Sequence, residues 1–279
     1  MSFNFIEGEV IFINKPLGWT SFDVVNRLRI IIRQALGIHK IKMGHAGTLD
    51  PLAEGLLILC TGKFTKQIDD FQAQEKEYTG TFRLGATTPS FDLEHEIDNH
   101  YEYQHITPEM IQKTVAELTG DISQIPPVYS AIKINGRRAY KFARKEKELK
   151  LEPRPVTISE FEITGIEMPD VHFRIVCSKG TYIRSLARDF GQALQSGAHL
   201  IKLTRTRIGN FKLSDAYSLE DFVNLVKTSD EAKLITEAKL AHDINTAHDI
   251  HSAVDIKSAV EDHSASEEIS ANQPKHFEE

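Results

Sequence analysis

The most unusual local chemistry of the chain lies in Gly44-His45-Ala46-Gly47-Thr48-Leu49-Asp50-Pro51-Leu52-Ala53-Glu54-Gly55. Glycines let backbone approach a ligand closely, and Pro51 keeps Asp50 out of the helical region, so a carboxylate is presented from a stiff loop. Such a carboxylate can be a nucleophile or a base; it can equally do no more than close a turn, and the segment alone leaves both open. A second segment, Ser178-Lys179-Gly180-Thr181-Tyr182-Ile183-Arg184, sits where a strand-like run passes into a helical one. Arg184, in the first helical turn, can point back toward Asp50 and favour its charged form. Taken by itself, an arginine there reads as a surface residue.

Between Lys133 and Arg154 nine basic residues stand against three acids, with Tyr140 and Phe142 interleaved. Such clustering is the footprint of a phosphate-backbone partner, and it is also how a solvated basic helix reads. Other chemistries are excluded by their missing residues. Gly62-Lys63 resembles the end of a phosphate-binding loop, but position 57 is Leu rather than Gly and position 64 is Phe rather than Ser or Thr. There is no His-Glu-x-x-His, no zinc-deaminase motif and no Gly-x-Ser-x-Gly elbow. Cofactor-free carboxylate chemistry survives.

The elements that must position these groups can be read from periodicity. Glu9 to Asn14 reads as a strand, followed by the turn-rich Lys15-Pro16-Leu17-Gly18-Trp19-Thr20-Ser21, in which Thr20 or Ser21 caps a helix carrying Val25, Leu28, Ile32 and Ala35 and ending near Gly37. Residues 44 to 55 read as an irregular loop, Leu56 to Cys60 as a buried strand, and Lys63 to Phe71 as a short helix. Tyr78, Gly80, Phe82 and Leu84 share one face of a strand, as do Val171, Phe173, Ile175 and Cys177. Residues 87 to 105 are acidic and turn-rich and read as a surface excursion. Thr107-Pro108-Glu109 opens a helix with Ile111, Val115 and Leu118 inward, Ser130 to Ile134 is strand-like, and Ile183, Leu186, Phe190 and Leu194 mark another amphipathic helix. Strands and helices without regular alternation predict an α+β (mixed α/β) fold rather than a doubly wound one.

The chain has 279 residues, 41% apolar and 26% charged, enough for a sizeable core. Its formal charge of −7 conceals a division: residues 229–279 hold four lysines against twelve acids, which leaves the first 228 residues at +1. The expected organisation is therefore a balanced body, 1–228, and an acidic low-complexity tail, 229–279, with too few large apolar groups to offset the entropy of ordering a separate domain. The five tail histidines are irregularly spaced among solvating acids, a poor metal site. Cys60 and Cys177 make neither a disulfide scaffold nor a zinc site, and Met1 to Val10 lacks the pattern of a signal peptide. A cytoplasmic, non-membrane protein is expected.

Together the segments resemble the TruB family of tRNA pseudouridine(55) synthases. The likeness runs through Lys15 to Ser21, Gly44 to Ala53, Tyr78, Pro126-Pro127-Val128-Tyr129-Ser130-Ala131-Ile132-Lys133 with Gly136 to Tyr140, Ser178 to Arg184, and His199 to Arg205, covering residues 11 to about 222. The resemblance implies a pseudouridine synthase catalytic fold with a mostly antiparallel central sheet flanked by helices. It also implies an isomerase that needs no cofactor and flips a uridine out of the T-arm (TΨC) loop of tRNA to convert it to pseudouridine. Asp50 then matches the essential aspartate, acting as nucleophile or base; Tyr78 the tyrosine that stacks on the flipped base; and Arg184 the arginine paired with the aspartate. His45 matches the histidine that fills the space the base has left, and Tyr182 and Leu203 match pocket positions. Lys15 and Lys133 fall in segments that shape or approach the RNA.

The sequence departs from the family pattern in four places. Ala46 replaces a frequent threonine. Glu54 stands where threonine is common; a second carboxylate facing the pocket would disfavour the charge on Asp50, so Glu54 is expected to point outward. Thr88-Pro89-Ser90-Phe91-Asp92 follows the family version only loosely, which leaves the part played by Asp92 open. Nothing after about residue 222 has the glycines or strands of the PUA domain that ends many members. Two rivals remain, a catalytically silent tRNA-binding or tRNA-folding module and a synthase acting on another RNA. The intact Asp50, Tyr78 and Arg184 argue against the first, and Gly-Thr-Leu-Asp in place of Arg-Leu-Asp argues against the second. A monomer is expected.

Overall fold

The computed structural model describes residues 3–130, 133–134, 137–138 and 151–229. Strand β1 (Val10–Lys15) leads through a turn into helix α1 (Ser21–Ala35). Thr20 is the cap: its hydroxyl accepts from the Asp23 N–H, and the Asp23 carboxylate accepts from the Thr20 N–H, so two donors that a helix start would leave unpaired are satisfied. Strands β2 (Met43–His45) and β3 (Ala53–Thr61) then flank the Asp50 loop. The irregular stretch is thus shorter than the sequence reading, because its ends pair as strands. Beyond β3, a 3-10 segment over Gly62–Gln67 runs into α2 (Ile68–Ala73), in place of the single short helix expected there.

Next come β4 (Lys76–Leu84), the two-residue strands β5 (Ala86–Thr87) and β6 (Asn99–His100), α3 (Pro108–Glu117) capped by Thr107, and β7 (Gly120–Gln124). Of Ser130 to Ile134, read as strand-like, Lys133–Ile134 forms β8, paired with β9 (Arg137–Arg138); Ser130 lies in a bend and residues 131–132 lie outside the described residues. The rest of the basic segment up to Lys150 lies outside the described residues. The chain continues with β10 (Arg154–Glu167), β11 (Asp170–Cys177), α4 (Ile183–Ala193), β12 (Ala198–Ile208), β13 (Phe211–Lys212), β14 (Tyr217–Ser218) and α5 (Leu219–Lys227).

One ten-stranded sheet, ordered β14-β1-β3-β12-β4-β11-β10-β7, organises the body, with β2 added beside β3 and β13 beside β12. Only β1/β14 and β3/β12 pair in parallel; the remaining ladders are antiparallel. The architecture is α+β; the strands that follow α4 all belong to this sheet, with a 3-10 turn at Leu213–Asp215 and helix α5 between and after them.

Where the core lies explains the sequence patterns. Alternate residues of β4, β10, β11 and β12 bury Phe82, Ile158, Val171, Phe173, Ile175 and Leu200 against α3 and α4. Helices α1 and α5 cover β1 and the Leu57/Leu59 face of β3, while Leu56, Ile58 and Cys60 are buried on the opposite face beneath Phe71 and Ile208. With both faces covered, β3 is apolar throughout rather than alternating. Gly55 permits its parallel pairing: at φ 108, a Cβ there would stand 2.4 Å from the Arg205 carbonyl oxygen.

Candidate active site

Register brings the site together. Arg205 of β12 pairs with Tyr78 of β4, and Leu203 pairs both with Gly80 of β4 and with Ala53, the first residue of β3 after the Asp50 loop. Side chains two apart on one strand share a face, so Leu203 and Arg205 lie beside Tyr78. At the end of β11, next to β4, the chain turns through Ser178–Thr181 into α4, which delivers Tyr182 and Arg184 to the same place.

The Asp50 loop is pinned on several sides. The Ser21 hydroxyl, at the start of α1, donates to the Leu49 carbonyl and accepts from the Leu49 N–H at 2.8 Å. The Gly18 N–H reaches the Pro51 carbonyl at 2.8 Å, and the Ala53 N–H closes onto the Asp50 carbonyl. From below, Arg205, 1% exposed, donates through Nε to the Leu56 carbonyl and through a terminal nitrogen to that of Gly47. The loop's polar backbone is therefore largely used internally, which fixes where the carboxylate points.

Asp50 meets Arg184 across this pocket: Arg184 Nε lies 2.8 Å from Asp50 Oδ2 and 3.5 Å from Asp92 Oδ2. The guanidinium also donates to the carbonyls of Ser90 at 3.2 Å and Tyr129 at 2.9 Å. Arg184 and Asp92 are each 4% exposed, whereas the Asp50 side chain is 39% exposed. The buried arginine is compensated by two carboxylates, and the one reaching into the cleft is Asp50. Two readings made from sequence are corrected here. Arg184 is no surface residue, because residues 88–92 and Tyr129 close over it. The stretch 87–105 is not simply a surface excursion, since it buries Thr88, Ser90 and Asp92.

Asp50, Tyr78, Tyr182, Arg184 and Leu203 all line one cavity of about 290 Å³. Burial pushes the Tyr78 phenol upward, against the opposing pull of the neighbouring Arg205 guanidinium, and burial likewise raises Tyr182. Both phenols are neutral at physiological pH. The start of α4 has no side-chain cap of its own; instead the buried Gln124 of β7 accepts from the Tyr182 N–H at 2.8 Å and donates to the Tyr182 carbonyl. That pairing anchors the turn bearing Tyr182 and Arg184.

The other residues singled out lie elsewhere. His45 ends β2, half-buried, and does not line the cavity. Lys15 is buried, its ammonium donating to the carbonyls of Pro16 and Trp19; burial lowers it to about 8, partly offset by Asp50. The side chain of Lys133 lies outside the described residues. Glu54 lines a separate groove with Trp19 and Arg27 and accepts from the Thr204 hydroxyl. Lys76 and Arg205 line the cavity but were not read from sequence as site residues. Arg205 stands in Thr204-Arg205-Thr206-Arg207, which reads as a solvated strand face, and only the strands on either side of β12 show that it is buried. Among the described residues, no helix is long and apolar enough to cross a membrane.

Comparison with known proteins gives the family. The family model described as "TruB family pseudouridylate synthase (N terminal domain)" matches residues 33–183, and that for the "tRNA pseudouridylate synthase B C-terminal domain" matches residues 184–253. A tRNA pseudouridine synthase B of Bacteroides fragilis is 53% identical over 227 residues, 81% of this chain and 97% of that protein. That of Flavobacterium johnsoniae is 53% identical over 219 residues, 78% and 96% of the two chains. Among solved structures, a Cbf5-Nop10-Gar1 complex contains a chain with TM-score 0.61 and 30% identity, covering 80% of this chain and 55% of its own. An H/ACA RNP bound to a substrate RNA containing 2'-deoxyuridine matches with TM-score 0.56 and 28% identity, over 80% and 54% of the two chains. The present chain thus spans about half the length of those two. The two family models follow one another along residues 33–253, and these two curated relatives are matched over nearly their whole length: the chain belongs to the TruB family of pseudouridylate synthases.

Proposed function

We propose that the protein isomerises uridine 55, in the T-arm loop of tRNA, to pseudouridine, with Asp50 as the acting carboxylate and Arg184 as its partner. The observation that carries this reading is the ion pair at 2.8 Å inside a cavity that Tyr78, Tyr182 and Leu203 complete. The relatives' tRNA substrate and the substrate RNA held by the structural neighbour support the partner.

A cavity of about 290 Å³ falls at the small end of small-molecule sites, roughly 300 Å³ upward. It is the size for one nucleotide's base and sugar, not for a folded loop. The target must therefore leave its stack, at a cost of a few kcal/mol. Tyr78 offers an aromatic face and Leu203 an apolar one to the everted uracil, and His45 occupies the RNA side as the loop opens.

The isomerisation breaks the N1–C1′ bond, turns the base and joins C5 to C1′; the C5 proton departs and N1 acquires one, so atoms balance without an oxidant. A carboxylate can drive this by attack at C1′, by attack at the base, or by taking the 2′ proton. Each route needs one carboxylate oxygen free toward the nucleotide. Arg184 engages Oδ2 at 2.8 Å, and the Asp50 side chain, 39% exposed, opens onto the cavity. Once substrate excludes water, the adjacent guanidinium takes over the stabilisation that solvent gave. Lys15 holds the Pro16–Trp19 turn, whose Gly18 N–H bonds to the Pro51 carbonyl beside Asp50, and Lys133 belongs to the basic segment that meets the phosphate backbone.

The rival of a silent RNA-binding module is disfavoured by the intact Asp50–Arg184 pair, with Asp50 opening onto the cavity. Incubating the protein with unmodified tRNA transcripts and mapping pseudouridine by position tests the reading: product at uridine 55 alone is expected, and product confined to another position or another RNA contradicts it.

A further inference from the structure

The cavity carries an imbalance of charge that the ion pair does not use. Among the described residues lining it, Asp50 is the only acid, and it is committed to Arg184. Three more cations line the same cavity: Lys76, Lys179 and Arg205. None of them has a carboxylate within ion-pair distance among the described residues. The Lys76 ammonium donates to the carbonyls of Gln72 and Gln74, and Arg205 donates to those of Leu56 and Gly47. Lys179 is exposed at the cavity's edge, in the turn before α4.

We propose that Lys76, Lys179 and Arg205 form an anion subsite in this cavity, and that it takes a backbone phosphodiester of the RNA adjoining the everted nucleotide. This rests on the RNA-modifying reading above and adds to it the point at which the backbone is gripped. The turn suits such a ligand: Gly180, at φ 89, has open space where a Cβ would stand, so a phosphate can approach the backbone closely. The three charges also burden one another. The Lys76 ammonium is pushed down to about 8, first by burial and then by Arg205, with Lys179 adding to the effect; Cys177 acts in the opposite sense. An anion placed among them would relieve that repulsion, and a cationic cleft with low-dielectric walls concentrates anions.

Lys179 is the probe, because its exposure makes its replacement harmless to folding. The measurement is the salt dependence of T-arm stem-loop binding and turnover by the wild type and Lys179→Ala, using RNAs that carry one uncharged methylphosphonate linkage at each position in turn. Lys179→Ala should raise KM several-fold more than it lowers kcat, and should reduce the slope of log K against log salt by about 0.7–0.9. One linkage next to the target uridine should weaken wild-type binding by a similar factor and weaken Lys179→Ala no further. An unchanged slope, or penalties that multiply at every linkage, would overturn the subsite. So would competition by inorganic phosphate with no sensitive linkage, which would mark a free-anion site instead. Failure of the underlying function would look different, since the wild type itself would then form no pseudouridine in any transcript.

Discussion

Asp50 meets Arg184 most closely through Oδ2, which stands 2.8 Å from Nε. The pair is asymmetric in burial, with the arginine side chain 5% exposed and the aspartate 39%. A fixed, dry cation therefore holds a carboxylate that is itself open to the cavity. The arginine's other nitrogens are spent on the Ser90 and Tyr129 carbonyls, which ties three distant stretches of chain to the orientation of one side chain.

Arg184→Lys should show how much that fork matters. An ammonium keeps the charge but cannot hold Asp50 and two divergent carbonyls in one plane. A fall of roughly 100-fold or more in the single-turnover rate is expected, the scale on which a lost preorganised contact acts, with RNA affinity changed by less than about threefold. A rate within a few-fold of wild type would show that charge alone suffices.

Asp92→Asn removes the second, buried carboxylate 3.5 Å from the same nitrogen. Asparagine can still accept from the Glu94 N–H, which Asp92 Oδ1 accepts at 3.0 Å, so the local turn should persist. With Arg184 left to Asp50 alone, Oδ2 is held more tightly and the carboxylate becomes a weaker nucleophile or base. About a tenfold drop in kcat with unchanged KM is expected, on the order of 1.4 kcal/mol in the barrier. A drop confined to KM would instead assign Asp92 to binding.

Gly55→Ala tests the β3/β12 junction that seats Leu203 and Arg205. At φ 108 its Cβ would fall 2.4 Å from the Arg205 carbonyl oxygen, whereas at Gly120, with φ 97, nothing lies within 4 Å of the same position. Gly120→Ala should cost the backbone strain alone, about 1–3 kcal/mol. Gly55→Ala should cost that plus overpacking, roughly 2–6 kcal/mol in all. Thermal melts should rank the two in that order, and equal melting temperatures would refute the close approach.

Lys15 and Lys76 give the alkaline limb of stability a sign. Burial lowers both to about 8, and Lys15 is also faced by Asp50, Arg205, Glu54 and Asp23. An unfolded lysine titrates near 10.4, so between about pH 8 and pH 10.4 the unfolded chain binds more protons than the native one. These two groups therefore add stability as pH rises through that window, and the contribution is lost as pH falls through about 8. Urea melts of the wild type and Lys15→Met at pH 7.5 and pH 9.5 should show the wild type gaining on the variant at the higher pH; a difference that moves the other way would contradict the assignment.

Much of this was legible in the sequence for local reasons. The Thr20 cap, the Tyr78 face of β4 and the Asp50-Pro51 loop are written in residues that are neighbours in the chain, and periodicity or turn chemistry suffices to find them. What stayed hidden was set by distant packing. The burial of Arg184 depends on residues 88–92, whose acidic, turn-rich composition reads as solvated. They fold inward because the Thr88 hydroxyl bonds to the Asp92 carbonyl, and because the Leu200 N–H bonds to the carbonyl of Phe91, itself held at φ 62. Arg205 escaped for the same reason, since a strand's own pattern does not say which of its faces another segment will cover.

The most direct test is single-turnover conversion of unmodified tRNA transcript by Asp50→Asn, measured beside its RNA affinity. The structure predicts binding within a few-fold of wild type and no pseudouridine on the wild-type timescale. Pseudouridine formed by Asp50→Asn at a rate near that of the wild type would contradict the assignment of Asp50 as the acting group.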